Sequence, residues 1–235
     1  HLVPTHARLV SASPHGLIGN KLMLEHVHPN LDGYFLLADA FFEALLMHAP
    51  PGPIVTRVSR ADARAEMPVS EIDRWLGEYK TLRIKAGWPF VVNSSAPQIP
   101  APQSESERLA QDLYYQRTTW PQAQEALREH YRRSGNDAEY TRVTGILADA
   151  FPFTGALQFQ MATALIRRDR PADALRYARR AVALEPDNVN HLLVQAHAQI
   201  LRGRREDGRA TLEEVLKIAP ENPTARSVLR QLEAG

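Results

Sequence analysis

The stretch PADALRYARRAVALEP, residues 171–186, has the pattern of an amphipathic helix that ends at a proline. Small residues recur on one face of this helix, at Ala174, Ala178 and Ala181. A helix with small residues along one face can lie close against a second helix. Pro186 follows the last apolar residue, where it cannot continue the helix. The stretch therefore predicts the second helix of a closely packed helical pair.

The same phrase recurs through the C-terminal half of the chain. Pro152, Pro186 and Pro220 are separated by 34 residues each time, and each of them ends a similar apolar phrase. Two helices and their turns fill a period of this length, so the spacing indicates stacked helical pairs. Gly135 and Gly203 mark the predicted turns inside two of the pairs.

With this period, the C-terminal part resembles tetratricopeptide repeats. The units run over residues 121–154, 155–188 and 189–222, and a short helix to Glu233 follows as a cap. The resemblance implies a mainly α fold, with a tetratricopeptide-like helical array over residues 105–235. It also implies a concave surface that binds a protein or peptide segment.

In the register of the family, the concave face is formed by the first helix of each pair. The face lacks the Lys/Asn/Arg set with which some members bind a C-terminal carboxylate, so that ligand is not predicted. Binding of a partner and packing against a neighbouring domain both stay open as roles for the face. Its predicted residues are Phe159, Thr163, Ile166, Arg167, Asn190, Leu193, His197 and Leu201.

A break in composition separates this array from the first third of the chain. Residues 93–104, NSSAPQIPAPQS, hold three prolines and no charge. Proline removes backbone donors and favours extended geometry, so the segment predicts a semi-stiff linker. A surface loop packed on one domain is the alternative. Residues 1–92 and 105–235 are the two predicted domains.

Chemistry-bearing residues concentrate in the block EHVHPN, residues 25–30, directly before a helical pattern. Asn30 is predicted to cap this helix. Apolar residues recur from Tyr34 to Leu45 at helical spacing, so we expect the helix to be well buried. An acid and a histidine would then be held in a loop beside a rigid element. A short strand is predicted at residues 54–56.

This block resembles the last motif of SGNH (GDSL-type) hydrolases, in which an acid, two residues and a histidine precede the C-terminal helix. The phrases SPHG at 13–16 and GN at 19–20 agree with a bacterial subgroup that couples this domain to tetratricopeptide repeats. The resemblance implies that residues 1–92 are the C-terminal remnant of an α/β domain. It implies serine esterase or acyltransferase chemistry on an ester or acyl substrate, with His28 as general base and Glu25 as its orienting acid.

The nucleophile and oxyanion residues of that family are not identifiable in this sequence. No serine stands in a Gly-Asp-Ser or Gly-x-Ser-x-Gly setting. We therefore expect this chain alone to be inactive. It begins with His1 rather than Met, which is typical of a processed or partial chain, so a removed signal peptide and the compartment stay open.

Two other interpretations stay open. In the first, the hydrolase-like part is degenerate and the protein is a tetratricopeptide scaffold for protein–protein interaction. In the second, His15, Glu25, His26 and His28 bind a metal ion, since a carboxylate with imidazoles is a set that zinc uses. A polar loop with surface histidines is the plain structural alternative.

Composition excludes several classes of site. The chain has no cysteine, which rules out disulfides, Cys-containing zinc sites, iron–sulfur clusters and a Cys nucleophile. Its net charge of +1 is evenly spread, so no nucleic-acid partner is predicted. The most apolar stretch, residues 34–47, is too short and too charged to span a membrane. No cofactor is predicted.

Overall fold

A computed structural model describes residues 2–48, 58–93 and 95–234 of the protein. Within these ranges the chain folds into helices and forms no strand ladder, apart from an isolated antiparallel bridge between Met23 and Pro29. The protein is mainly α, as the repeat pattern predicts. The strand predicted at residues 54–56 lies outside the described residues. None of the described helices is both long and apolar enough to cross a membrane.

The chain divides into two compact units. The first comprises His1–Met67 and Asp73–Pro102, and the second comprises Pro68–Ile72 and Gln103–Gly235. The second unit is therefore built from two separate stretches of sequence.

Four α-helices lie wholly or partly in the described part of the first unit. In chain order they are α1 (Thr5–Ala12), α2 (Leu31–His48), α3 (Arg60–Ala65) and α4 (Glu71–Lys85), of which the part from Asp73 belongs to this unit. A single 3₁₀ turn (Pro14–Gly16) follows α1, and α1 packs against α2. The described residues of this unit form no sheet. The α/β remnant implied by the SGNH resemblance is therefore not shown.

The helix α2 is less buried than its apolar composition predicts. Its buried residues are Gly33 and Ala40, whereas the side chains of Tyr34, Phe41 and Leu45 are each more than half exposed. The expectation of a well-buried helix is wrong for this face. Periodicity reports where the apolar residues of a helix lie, and it does not report what covers them.

Eight helices form the described array of the second unit, and each packs against the next. Two of the turns between them contain a glycine in the left-handed region, Gly135 with a φ of 71° and Gly203 with a φ of 74°. Asn136 and Asn188 cap the helices that follow them. The helices are α5 (Glu105–Tyr114), α6 (Trp120–Ser134), α7 (Asp137–Ala150), α8 (Gly155–Arg167), α9 (Pro171–Leu184), α10 (Val189–Leu201), α11 (Arg205–Ile218) and α12 (Pro223–Ala234).

Small residues let the paired helices of the array approach closely. Ala162 of α8 and Ala174 and Ala178 of α9 are fully buried in one core cluster. One period further along the chain, Gly208 takes the place of Ala174. A Cβ at Gly208 would lie 2.5 Å from Cγ1 of Ile200, so the missing methyl makes room for that side chain.

The segment Pro68–Ile72 is bound to α6 and α7 by side-chain hydrogen bonds. The guanidinium of Arg142 donates to the carbonyl of Val69 over 2.9 Å. The side-chain amide of Gln124 donates to Oγ of Ser70 over 2.8 Å, and both of these residues are buried. A segment far away in sequence thus satisfies polar groups at the start of the array.

This segment also has a third hydrogen bond and a fully buried side chain. The Tyr131 hydroxyl donates to the carboxylate of Glu71 over 2.9 Å. Burial and this neighbouring carboxylate raise the pKa of the Tyr131 hydroxyl. The next residue, Ile72, has no exposed surface. The 34-residue period contained no signal for this attachment, because the segment lies outside the repeats.

We predict that Ile72→Ala destabilises the second unit, although Ile72 lies outside the repeats. Loss of a fully buried isoleucine is expected to lower the free energy of unfolding by about 2–5 kcal/mol. Amide hydrogen exchange in α6 and α7 measures the change in this unit.

The matched control for this variant is Ile84→Ala, on the same helix α4. The side chain of Ile84 is 45% exposed, so its loss should cost less than about 1 kcal/mol. Equal and small effects of the two variants on α6 and α7 would contradict the attachment.

Candidate functional site

The Glu25–His28 motif lies in a loop that backbone hydrogen bonds close. The N–H of Leu24 donates to the carbonyl of His28 over 2.8 Å. The N–H of Asn30 donates to the carbonyl of Leu22 over 2.9 Å. The loop is therefore closed by its own backbone hydrogen bonds, and α2 begins directly after it.

Asn30 connects this loop to the helix. Its Oδ1 accepts hydrogen bonds from the N–H groups of Asp32 and Gly33, both over 3.0 Å, so the predicted cap of α2 is confirmed. Its Nδ2 donates to the carbonyls of Asn20 and Lys21. One side chain thus joins the start of α2 to both sides of the loop.

A glycine in the first turn of α2 allows the loop to lie against the helix. A Cβ on Gly33 would stand 2.2 Å from the carbonyl oxygen of Leu22. That oxygen is the acceptor for Asn30, so it cannot move without loss of the loop closure. This close approach explains why the motif continues with glycine.

The Glu25 carboxylate is the centre of the loop. Its side chain is 2% exposed, and it accepts hydrogen bonds from the N–H groups of Val27 and His28, both over 2.9 Å. Its Oε1 also pairs with Nδ1 of His28. Its Oε2 pairs with Nδ1 of His26 over 2.8 Å. One buried carboxylate therefore holds two imidazole rings.

These contacts keep Glu25 ionised. Burial raises the pKa of the carboxyl group, but the hydrogen bonds from the His28 ring and from the N–H groups of Val27 and His28 outweigh it. The pKa falls to about 2 from the ordinary value of 4.5. Because an ionised carboxylate can only accept, each paired Nδ1 must donate, and a neutral ring then carries a lone pair on Nε2. This is the tautomer that a general base requires.

The two histidines line different pockets of the first unit. His28 lines a pocket of about 190 Å³ together with Tyr34, Lys80 and Thr81. His26 lines a larger pocket of about 480 Å³. Glu25 lies in the wall of both pockets. The side chains of His28 and His26 are 59% and 60% exposed, so both rings are accessible.

The structure does not favour the metal interpretation. Among the described residues, no group of three or more His, Asp or Glu side chains is arranged to hold a metal ion. The side-chain partners given for Glu25 are His26 and His28, and His15 is not among them. It lies in the 3₁₀ turn with a positive φ of 56°.

The eight residues predicted for the concave face lie on α8 and α10, the first helices of two pairs. None of them is buried: four are partly exposed and four are exposed. Phe159 and Ile166 pack partly against the core cluster, and the ring of Phe159 stacks on His191 of α10 at 5.4 Å between centroids. The exposed members are Arg167, Asn190, His197 and Leu201.

The residues predicted for the face did not include the equivalent positions of the first repeat, residues 121–154. Subtracting one period from Phe159 and Thr163 leads to Glu125 and Glu129 of α6. Both residues line a groove of about 740 Å³. The 34-residue period was the signal that could have found them. The apolar part of this groove consists of Pro121, Ala126, Leu147, Phe151 and Leu157.

The acids at this end of the array are already paired. Oε2 of Glu129 lies 2.6 Å from Nε of Arg132, and its Oε1 lies 2.7 Å from Nε of Arg133. The hydrogen bond from Arg132 is the main reason that the pKa of Glu129 falls to about 2. Glu125 pairs with Arg128. The groove therefore presents mostly apolar surface between neutralised charges.

Residues 165–232 match the family model of the tetratricopeptide repeat. The C-terminal array is tetratricopeptide-like. The match covers a stretch as long as two periods, from within α8 to within α12, and no curated protein matches the chain.

Several solved structures are similar to part of this chain. The first tetratricopeptide domain of Spaghetti (RPAP3) bound to the HSP90 peptide SRMEEVD is 23% identical, with a TM-score of 0.44. The second domain of human RPAP3, in complex with the HSP70 peptide SGPTIEEVD, is 16% identical, with a TM-score of 0.42. These alignments cover 47% of this chain and 88% and 92% of the respective domains. The family match concerns a helical repeat and not a hydrolase.

We predict that Glu25→Gln removes a pH-dependent part of the stability of the first unit. The pKa of Glu25 is lower in the folded protein than its ordinary value of 4.5, so folding favours the ionised form. This contribution is complete above pH 4.5 and is lost as the pH falls towards about 2. The free energy of unfolding, measured over this range, should fall less steeply in the variant.

A control for the lost charge is Glu78→Gln on the exposed side of α4. This variant should keep the acid dependence of the parent protein. Identical pH profiles for Glu25→Gln and the parent would contradict the role of the Glu25 carboxylate.

Proposed function

We propose that the protein is a scaffold whose tetratricopeptide-like array binds a segment of a partner protein. The observation that carries the proposal is the accessibility of the predicted concave face. Six of its eight side chains form three pairs that are one period apart on α8 and α10, and none of the eight is buried. The pairs are Phe159 with Leu193, Thr163 with His197, and Arg167 with Leu201. Arrays of stacked helical pairs offer surfaces of this kind to extended or helical segments.

The composition of the face suits a peptide ligand. Leu193 is half-buried, and the side chain of Leu201 is 47% exposed, so both can serve as apolar anchors. Arg167, Asn190 and His197 are exposed around them and can bond the backbone of a bound segment. Apolar anchors inside a polar rim are the usual anatomy of a protein interface.

The test is a double variant, His197→Glu with Leu201→Glu, compared with the parent in affinity capture from the source cells. Partners identified by mass spectrometry are then measured with purified protein. Because few residues carry most of an interface's binding energy, loss of such an anchor should weaken binding by about tenfold or more.

Ile218→Glu is the matched control. Ile218 is 43% exposed on α11, a second helix, away from the predicted face. Partners that depend on the face should be retained by this control and lost by the double variant. If the double variant retained all partners, the proposal would be contradicted.

A second candidate function is serine acyl transfer, and the contact between Glu25 and His28 favours it. A buried acid that fixes the Nδ1–H tautomer of an exposed histidine is what a general base needs. In this proposal His28 takes the proton of a serine hydroxyl, and Glu25 orients the ring. Residues 1–92 would act as the catalytic part, and residues 93–104 would connect it to the array.

This second proposal is tested with a fluorophosphonate probe on the protein as it is made in its own cells. Labelling should be lost in His28→Ala and kept in His130→Ala, which changes an exposed histidine of α6. Absence of labelling in the parent, or labelling that survives His28→Ala, would reject acyl transfer and leave the scaffold proposal unaffected.

A further inference from the structure

We propose that the 480 Å³ pocket beside His26 binds a small apolar molecule that carries a hydroxyl group. We call it the His26 pocket. Its apolar wall is formed by Leu9, Ile18, Met23 and Phe90, and its polar residues are Asn20, Glu25, His26 and Lys85.

The size and lining of the His26 pocket are those of a ligand site. Its volume of about 480 Å³ lies within the range of small-molecule sites, which are mostly apolar with a few convergent polar groups. Phe90 is 40% exposed, and its ring lies 5.4 Å from the ring of His26. The aromatic surface and the imidazole therefore sit side by side in one wall.

The hydrogen-bonding state of His26 specifies the polar part of the ligand. Its Nδ1 is 2.8 Å from Oε2 of Glu25 and must donate to that carboxylate. In the neutral ring, the polar atom that remains for a ligand is Nε2, which can only accept. A ligand that bonds Nε2 of the neutral ring must therefore supply a donor.

Lys85 adds the complementary requirement. Lys85 lines the pocket, and its ammonium group is a donor without acceptor capacity, so a ligand that bonds it must also accept. A hydroxyl group does both, since it has one O–H and two lone pairs. A carboxylate satisfies Lys85, but it has no proton to give to His26 and would lie near the ionised Glu25.

This inference does not depend on acyl transfer. It uses the second imidazole on Glu25, which lines a different pocket from His28. Glu25 is the shared element, because it sets the tautomer of both rings. The His26 pocket can bind a hydroxyl compound whether or not His28 acts as a base.

Fluorine NMR of the full chain with three matched probes tests the proposal. The probes are para-fluorobenzyl alcohol, para-fluorotoluene, which lacks the hydroxyl group, and para-fluorobenzoate. We expect the alcohol to bind about five- to tenfold more tightly than the toluene, the value of one or two net hydrogen bonds. We also expect the alcohol to bind more tightly than the benzoate.

Two variants locate the binding. In His26→Ala, the affinity for the alcohol should fall to the affinity for the toluene. The control variant is His6→Ala, which changes an exposed histidine of α1 outside the pocket and should leave all affinities unchanged. In nitrogen NMR of the parent protein, the Nε2 resonance of His26 should shift when the alcohol is added. This second readout does not depend on the folding of a variant.

Each remaining outcome overturns the proposal. If no probe bound, the proposal that this pocket is a binding site would be contradicted. Equal binding of alcohol and toluene, or an alcohol preference that survives His26→Ala, would remove the role of His26. If the benzoate bound more tightly than the alcohol, the pocket would favour an anion, and the proposed hydroxyl ligand would be wrong.

Discussion

The close approach of paired helices is the constraint on which the second unit depends. Ala162, Ala174 and Ala178 have no exposed surface, and Gly208 has no side chain where Ile200 needs the space. Larger residues at these points would separate the helices and open the core. Because this packing uses the inner faces of each pair, the remaining face of each first helix stays accessible. The candidate binding face is thus a consequence of how the array packs.

The array is not built from its repeats alone. Residues 69–71 supply a carbonyl, a hydroxyl and a carboxylate to α6 and α7, and the next residue, Ile72, is fully buried. Terminal repeats lack a neighbour on one side, and their exposed surface requires some form of cap. In this protein a segment from another part of the sequence provides contacts at that end.

In the first unit, one carboxylate organises the candidate chemistry. Glu25 accepts two backbone N–H groups and pairs with two imidazoles, so its negative charge is satisfied although it is buried. The resemblance to the last SGNH motif predicted the pair of Glu25 and His28. The sequence left His26 as a possible metal ligand, because spacing alone does not decide which side of a carboxylate a ring will occupy. The loop closure by Asn30 places both rings on Glu25.

A resemblance to a known family pointed to Glu25 and His28. By itself, the sequence determined the helical class, the period, the turn at Gly135 and the cap at Asn30. These features follow from local rules, since capping, helix breaking and periodic burial act over a few residues. Only the tertiary structure decided that residues 68–72 belong with the array, that α2 exposes Tyr34, Phe41 and Leu45, and that His26 shares Glu25 with His28. Those results depend on contacts between residues distant in sequence or on the folding of a loop in space. A linear pattern of residue types carries no information about which surface will cover another.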